Sequence, residues 1–163
     1  MKMLLIVHHT VTGGTAQMVE AAVRGARGED GVDVVALRAF DATPSDVLRA
    51  DGFLFATPEN LAAMSGALKD FFDRTYYAAL DRLNGRPCAV MICAGTDGSA
   101  AARQIERIAT GWRLRKVAES RIVCTHAQTP AAILAPKTIA EAELHACAEV
   151  GEALGHGLAM GLF

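Results

Sequence analysis

Five short apolar runs divide the chain, at residues 3–7, 32–37, 52–56, 87–93 and 121–125. Each is followed by a turn and then by a stretch whose apolar residues recur every three or four positions. The runs have the length and branched side chains of strands buried on both faces. After the first, Met18, Val19, Ala22, Val23 and Ala26 define one helical face, and after the fourth, Ala101, Ile105, Ile108 and Trp112 define another. Strand–helix alternation of this kind implies a parallel sheet, because parallel neighbours need crossovers and the crossovers cover the faces. The chain is therefore expected to be α/β. Its 163 residues suit one domain, 1–163, with one sheet.

The most periodic stretch contains Met64, Leu68, Phe71, Phe72, Thr75, Tyr76, Ala79 and Leu80. Asp70 and Arg74, like Lys69 and Asp73, stand four apart on its polar side. Asn84-Gly85 is expected to end this helix. Its aromatic stripe reads as core or as subunit contact. A short helix over 45–50 is expected with Thr43 or Ser45 as cap, and a final helix from about Thr138 with Ile139, Ala142, Ala146, Val150 and Leu154 inward. Residues 126–136 form a long connection with two prolines, the kind of loop that often has a job.

In parallel sheets ligands bind beyond the carboxyl ends of the strands. Three loops occupy that edge, at 10–15, 57–61 and 94–99. The first, Thr10-Val11-Thr12-Gly13-Gly14-Thr15, joins a strand to the first turn of a helix. Free N–H groups and the positive end of the helix dipole attract an anion there. Three threonine hydroxyls add donors, and two glycines let the backbone close around a phosphate. The loop has no lysine, so it is not a nucleoside-triphosphate loop, and it lacks Gly-x-Gly-x-x-Gly. Neutral donors suit a terminal monophosphate; a plain Thr/Gly helix cap is the other reading.

Formal net charge is −2 with both signs interspersed, which provides no basic block for nucleic acid and no polybasic segment for a membrane. The first apolar run stops at His8-His9, too short for a signal sequence, and no run approaches a membrane span. A cytoplasmic protein is expected. Cys88, Cys93, Cys124 and Cys147 are scattered without a C-x-x-C pair and read as small buried hydrophobes, with no metal site. Hydrophobic residues make up 52% of the chain, high for a monomer. A homodimer or homotetramer is expected, through the aromatic stripe and the tail at 158–163. His8 and His9, beside the first loop, could donate to a phosphate or simply pack. Glu59 could orient a ligand or be solvated.

Taken together, the three loops resemble the flavodoxin-like superfamily. Residues 10–15 are similar to its Ser/Thr-x-Thr-Gly-x-Thr loop for the FMN phosphate. The stretch from Ala56 through Thr57-Pro58-Glu59-Asn60-Leu61, Met64, Gly66, Leu68-Lys69, Phe71 and Asp73-Arg74 resembles a segment of the NAD(P)H-dependent FMN reductases and Trp-repressor-binding-protein type quinone reductases. The resemblance spans the whole chain. It implies a flavodoxin-like three-layer sandwich on a five-stranded parallel sheet of order 2-1-3-4-5. It implies FMN as cofactor, NADH or NADPH as donor, and a quinone-like small molecule as acceptor, with flavin-borne chemistry and no catalytic side chain. The cofactor-binding residues it implies are Thr10, Val11, Thr12, Gly13, Gly14 and Thr15; Thr57, Pro58, Glu59, Asn60 and Leu61; and Ala94, Gly95, Thr96, Asp97 and Gly98.

Electron-carrier flavodoxins flank the flavin with aromatic rings on the second and third loops and are strongly acidic. This chain has Glu59, Asn60, Leu61, Thr96, Asp97 and Gly98 there, and a near-neutral charge. Both departures favour a reductase over a carrier. A phospho-acceptor receiver is nearly excluded because His8-His9-Thr10 and Thr57-Pro58 stand where it needs acids. A low-molecular-weight phosphatase needs an arginine six residues after a loop cysteine, and Ala94, Ser99 and Pro130 stand at those positions.

Overall fold

Parallel backbone hydrogen bonding joins the apolar runs into one sheet. The computed structural model describes residues 1–163. The strands are β1 (Lys2–His8), β2 (Val32–Arg38), β3 (Gly52–Asn60), β4 (Ala63–Met64), β5 (Pro87–Ala94), β6 (Arg115–Lys116) and β7 (Arg121–Cys124). The helices are α1 (Gly14–Ala26), α2 (Pro44–Arg49), α3 (Gly66–Ala79), α4 (Ser99–Gly111), α5 (Pro130–Leu134) and α6 (Glu141–Met160). The lateral order is β2-β1-β3-β5, with β6 and β7 both paired to β5. Leu5 sits between Val35 and Phe53, and Phe55 beside Val90.

The expected order holds, but seven strands replace five. The fifth strand is broken: β6 pairs with the start of β5, at Pro87 and Cys88, and β7 with its end, from Met91 to Ala94. At the end of β6 Lys116 reaches Glu106 and Glu119, and just before β7 the Ser120 hydroxyl donates to Glu106. These polar groups turn toward α4 and interrupt pairing at an edge where no further neighbour enforces it. The remaining extra strand, β4, forms a two-residue hairpin with β3, Asn60 opposite Ala63.

Alternate residues of the sheet feed two cores. Leu4, Ile6, Leu54, Ala56, Ala89 and Met91 pack with Met18, Ala22, Cys147 and Leu154 of α1 and α6. Leu5, Val7, Phe53, Phe55, Val90 and Ile92 pack with Val47 of α2, Leu68 and Phe72 of α3, and Ile105 of α4. The aromatic stripe of α3 belongs mainly to this second core. Phe72 and Phe71 lie 5.1 Å apart, Trp112 stacks on Tyr76 at 5.8 Å, and the indole N–H donates to the Tyr76 carbonyl at 3.0 Å. Tyr77 stays outside, 83% exposed. α3 stops earlier than Asn84-Gly85, because Asp81 turns left-handed (φ 62°) and returns Leu83 to the core. Thr43 caps α2 in a capping box with Asp46.

Helices α1 and α6 meet backbone to backbone. A Cβ on Gly151 would collide with the Ala22 carbonyl oxygen, and one on Gly25 with that of Ala148; on Gly155 it would lie 2.9 Å from the Ala26 carbonyl. The inward face of α6 is thus Cys147, Gly151, Leu154, Gly155 and Leu158, with the expected Val150 packed against the same core, whereas Ala142 is exposed and Ala146 only half-buried. The expectation followed bulk hydrophobicity; close approach selected the small residues. No helix is long and apolar enough to cross a membrane.

Candidate functional site

The carboxyl ends of β1, β3 and β5 open on a cavity of about 430 Å³. From the first loop it is lined by Thr10, Val11, Thr12, Gly14 and Thr15, from the second by Pro58, Glu59, Asn60 and Leu61, and from the third by Ala94 and Gly95. All three loops meet there. The structure adds Cys93, Thr125, Ala127, Ile133, Leu134 and Lys137. Cys93 and Thr125 were legible as the ends of the fourth and fifth runs. Ala127, Ile133 and Leu134 lie in the long connection, whose length was the only signal, and Lys137 follows directly after it.

Five expected residues do not line the cavity. Gly13 caps α1 in a left-handed conformation (φ 88°) and donates to Thr10 Oγ1. Thr57 is buried and uses its hydroxyl locally, donating to the Pro58 carbonyl at 2.9 Å and accepting from Ser65 N at 3.1 Å. Gly98 caps α4, while Asp97 accepts from the Ser99 amide and hydroxyl. Thr96 is exposed beside them. Glu59 borders the cavity, but its carboxylate accepts from Gly98 N at 2.9 Å and Ala101 N at 3.2 Å. It completes the N-terminus of α4 from another loop. His8 and His9 stay outside the cavity. Burial, then the neighbouring His9 and Arg38 charges, hold the His8 imidazole below its usual pKa; burial also lowers that of His9, whose ring stands edge-on to Phe40.

The first loop presents donors without partners. Thr10 Oγ1 accepts from Gly13 N and Ala16 N, so its own hydrogen is free. The amides of Thr12, Gly14 and Thr15 donate to nothing in the chain. Thr15 is 2% exposed, and its buried hydroxyl has no hydrogen-bond partner. The Cys93 thiol is its polar neighbour, but the contact lacks hydrogen-bonding geometry and a thiol is a weak partner for a hydroxyl. An unsatisfied buried hydroxyl costs about 1–3 kcal/mol. An anion oxygen accepting hydrogen bonds from these groups would remove that cost, so the donor set fits a phosphate monoester. Charge is contributed only at a distance: Lys137 Nζ donates to the carbonyls of Ala132, Ile133 and Ala135 at 2.6–2.9 Å, which uses all three of its hydrogens. Away from the loop donors the wall is apolar: Leu61, Ile133 and Leu134, together with the loop's own Val11, are each more than half exposed.

A profile of the family described as NADPH-dependent FMN reductase matches residues 39–128, more than half of the chain, including the second and third loops. A protein named flavodoxin from Aquifex aeolicus is 33% identical over 96 residues, 58% of this chain and 52% of that protein. A protein named NAD(P)H dehydrogenase (quinone) from Acidithiobacillus ferrooxidans is 30% identical over 95 residues, 46% of this chain and 48% of that protein. The chain thus spans about half the length of these curated relatives. Among solved structures, a flavodoxin from the domain Archaea superposes with a TM-score of 0.76 at 15% identity, covering 96% of this chain and 98% of that one. A WrbA-like flavodoxin from Agrobacterium tumefaciens superposes with a TM-score of 0.74 at 14% identity, covering 98% and 99%. At such identities the likeness establishes the fold, which is flavodoxin-like.

Proposed function

The chain belongs to the NADPH-dependent FMN reductase family, and from that premise we propose that it is an FMN-dependent oxidoreductase passing two electrons from NADH or NADPH to a quinone-like acceptor. The observation that carries this reading is the set of unpaired donors at Thr12, Gly14 and Thr15, opening into a cavity with apolar walls. FMN, when bound, supplies the two-electron chemistry. The first loop and the α1 N-terminus would hold its phosphate, with the Thr10 and Thr15 hydroxyls and the three amides as donors. Pro58, Asn60, Leu61, Ala94 and Gly95 border its ring, and Leu61, Ile133 and Leu134 keep water from one side of the cavity.

No side chain is poised to move a proton. The Glu59 carboxylate is committed to α4, burial raises the pKa of the Cys93 thiol, and the Lys137 ammonium is committed to α5. The chain supplies binding and orientation, and proton exchange is left to solvent. The reading assigns residues 1–163 as one FMN-binding domain. Self-association rests on what the core leaves outside: Tyr77 and the tail residues Met160 and Leu162.

The test is a paired titration with FMN and riboflavin, in which FMN should bind tighter because riboflavin lacks the phosphate. Thr15→Val removes one hydrogen bond to a charged acceptor, worth about 1.5–3 kcal/mol, so FMN affinity should fall about ten- to a hundredfold. The same change removes an unsatisfied buried hydroxyl, so the flavin-free protein should melt no lower than the parent. Equal affinity for the two flavins, or Thr15→Val binding FMN like the parent, would refute the phosphate assignment.

An electron carrier that binds FMN without nicotinamide is the second reading, favoured by the flavodoxin relative. Against it, no residue lining the cavity is aromatic, which leaves the ring open to a nicotinamide. Under anaerobic conditions NADH or NADPH should bleach the bound flavin, and a benzoquinone should restore its colour. If neither nucleotide bleaches the flavin over minutes while dithionite gives a persistent radical, the carrier reading stands.

A further inference from the structure

Gln17 lies one turn into α1, and its side chain is engaged on every usable side. Nε2 donates to the Gly13 carbonyl at 2.9 Å and to the Lys137 carbonyl at 2.8 Å. Oε1 accepts from Ile139 N at 3.0 Å. Only this orientation of the amide satisfies two carbonyls and one N–H. A further bond joins the same segments directly, from Lys137 N to the Thr12 carbonyl at 2.9 Å. Behind the loop, a Cβ on Gly14 would stand 3.4 Å from Lys137 Cβ and 3.5 Å from Ile139 Cδ1. Residues 137–139 are thus joined to the first loop, although they are remote from it in sequence.

The consequence follows from peptide planarity. In a trans peptide the C=O and the next N–H lie in one plane and point in opposite directions. The Gly13 carbonyl accepts both Gln17 N, at 3.2 Å, and Gln17 Nε2. Two donors from one residue therefore fix the plane that carries the Gly14 N–H, one of the unpaired amides. Gly13 is itself left-handed and has no Cβ to restrain it, so without the side chain this plane would be held by the backbone bond alone.

We propose that Gln17 is a positioning residue: it aims the Gly14 N–H at the flavin phosphate and makes the segment after β7 part of the phosphate site. The inference rests on the FMN reading above. Its signature is selectivity, since a side chain that merely supported the fold would affect both flavins equally.

The experiment compares wild type with Gln17→Leu, titrating FMN and riboflavin by flavin fluorescence and following stability by thermal melting. FMN affinity should fall about tenfold and riboflavin affinity by less than about twofold. Equal losses for both flavins, or no loss, overturn the proposal. Should Gln17→Leu not fold, amide hydrogen exchange on the wild type carries the test. Adding FMN should slow exchange at Ile139 and Lys137 together with Gly14; protection of Gly14 with Ile139 and Lys137 unchanged overturns it. A wild type that binds FMN no better than riboflavin refutes the phosphate reading itself, and that result is read without any variant.

Discussion

Gly151→Ala is expected to lower the melting temperature by about 6–12 °C. The new Cβ would collide with the Ala22 carbonyl oxygen on α1, a backbone atom that no rotamer change can move. Relief requires the helices to separate, and Gly25 and Gly155 hold them close on the same face. Separation would loosen Cys147 and Leu154 of α6 against Met18 and Ala22 of α1. Overpacking of this kind costs about 3 kcal/mol, at the upper end for added methylenes. For a chain of this size each kcal/mol shifts the melting point by about 2–4 °C. Gly66→Ala is the control. Gly66 is the first residue of α3, its φ is not positive, and nothing lies within 4 Å of its Cβ position. Because alanine is the better helix former, Gly66→Ala should melt no lower than the parent. If the two variants melt alike, the helices are not in close contact at Gly151.

The same crossing marks where sequence reading stopped short. The five main strands were legible because their runs are mostly apolar and bounded by turn residues; their order was legible only through the resemblance to the flavodoxin-like superfamily. The α6 face was not, because small residues in a helix carry no hydrophobic signal and their role appears only against a neighbouring backbone. The α3 stripe was legible as apolar but not as core or contact; Trp112, distant in sequence, decided it by covering Tyr76. The break in the fifth strand was hidden because it depends on Glu106, which belongs to another element. At the candidate site the three loops were found from strand ends and glycines. Roles within them were less legible: Thr57 and Glu59 carry groups suited to a ligand, yet both are engaged by Ser65 N and by the α4 N-terminus. Gln17, Lys137 and Ile139 form no sequence motif, since 120 residues separate Gln17 from Lys137.

Gly14→Ala should weaken FMN binding by about a hundredfold, and Cys93→Ala in the same chain should restore most of it. The Gly14 Cβ position does not face the cavity. It points inward, 2.6 Å from Cys93 Sγ, whereas its contacts to Lys137 and Ile139 are ordinary at 3.4 and 3.5 Å. The thiol is buried behind the loop, and with the sulfur in place the loop must lift. Lifting it misdirects the Gly14 and Thr15 amides and the Thr15 hydroxyl together. On the proposed assignment each would make a hydrogen bond to a charged group worth about 1.5–3 kcal/mol, and partial loss of two amounts to about 2.7 kcal/mol, or a hundredfold in affinity. Helix propensity acts the other way, because alanine is preferred to glycine in a helix, so a loss reports the clash and not the helix. Cys93→Ala removes the sulfur and leaves about the volume that the new methyl needs. By itself it should change FMN affinity little. Residues in contact are expected to be non-additive, so the measured quantity is the coupling in the double-mutant cycle, about 2 kcal/mol in favour of the pair. Riboflavin serves as the internal reference and should show a much smaller effect at every corner of the cycle. If Gly14→Ala binds FMN normally, the thiol yields and the loop does not depend on it. If the double variant stays as weak as Gly14→Ala, the loss has another cause than the sulfur, and the place of Cys93 behind the phosphate loop must be redrawn.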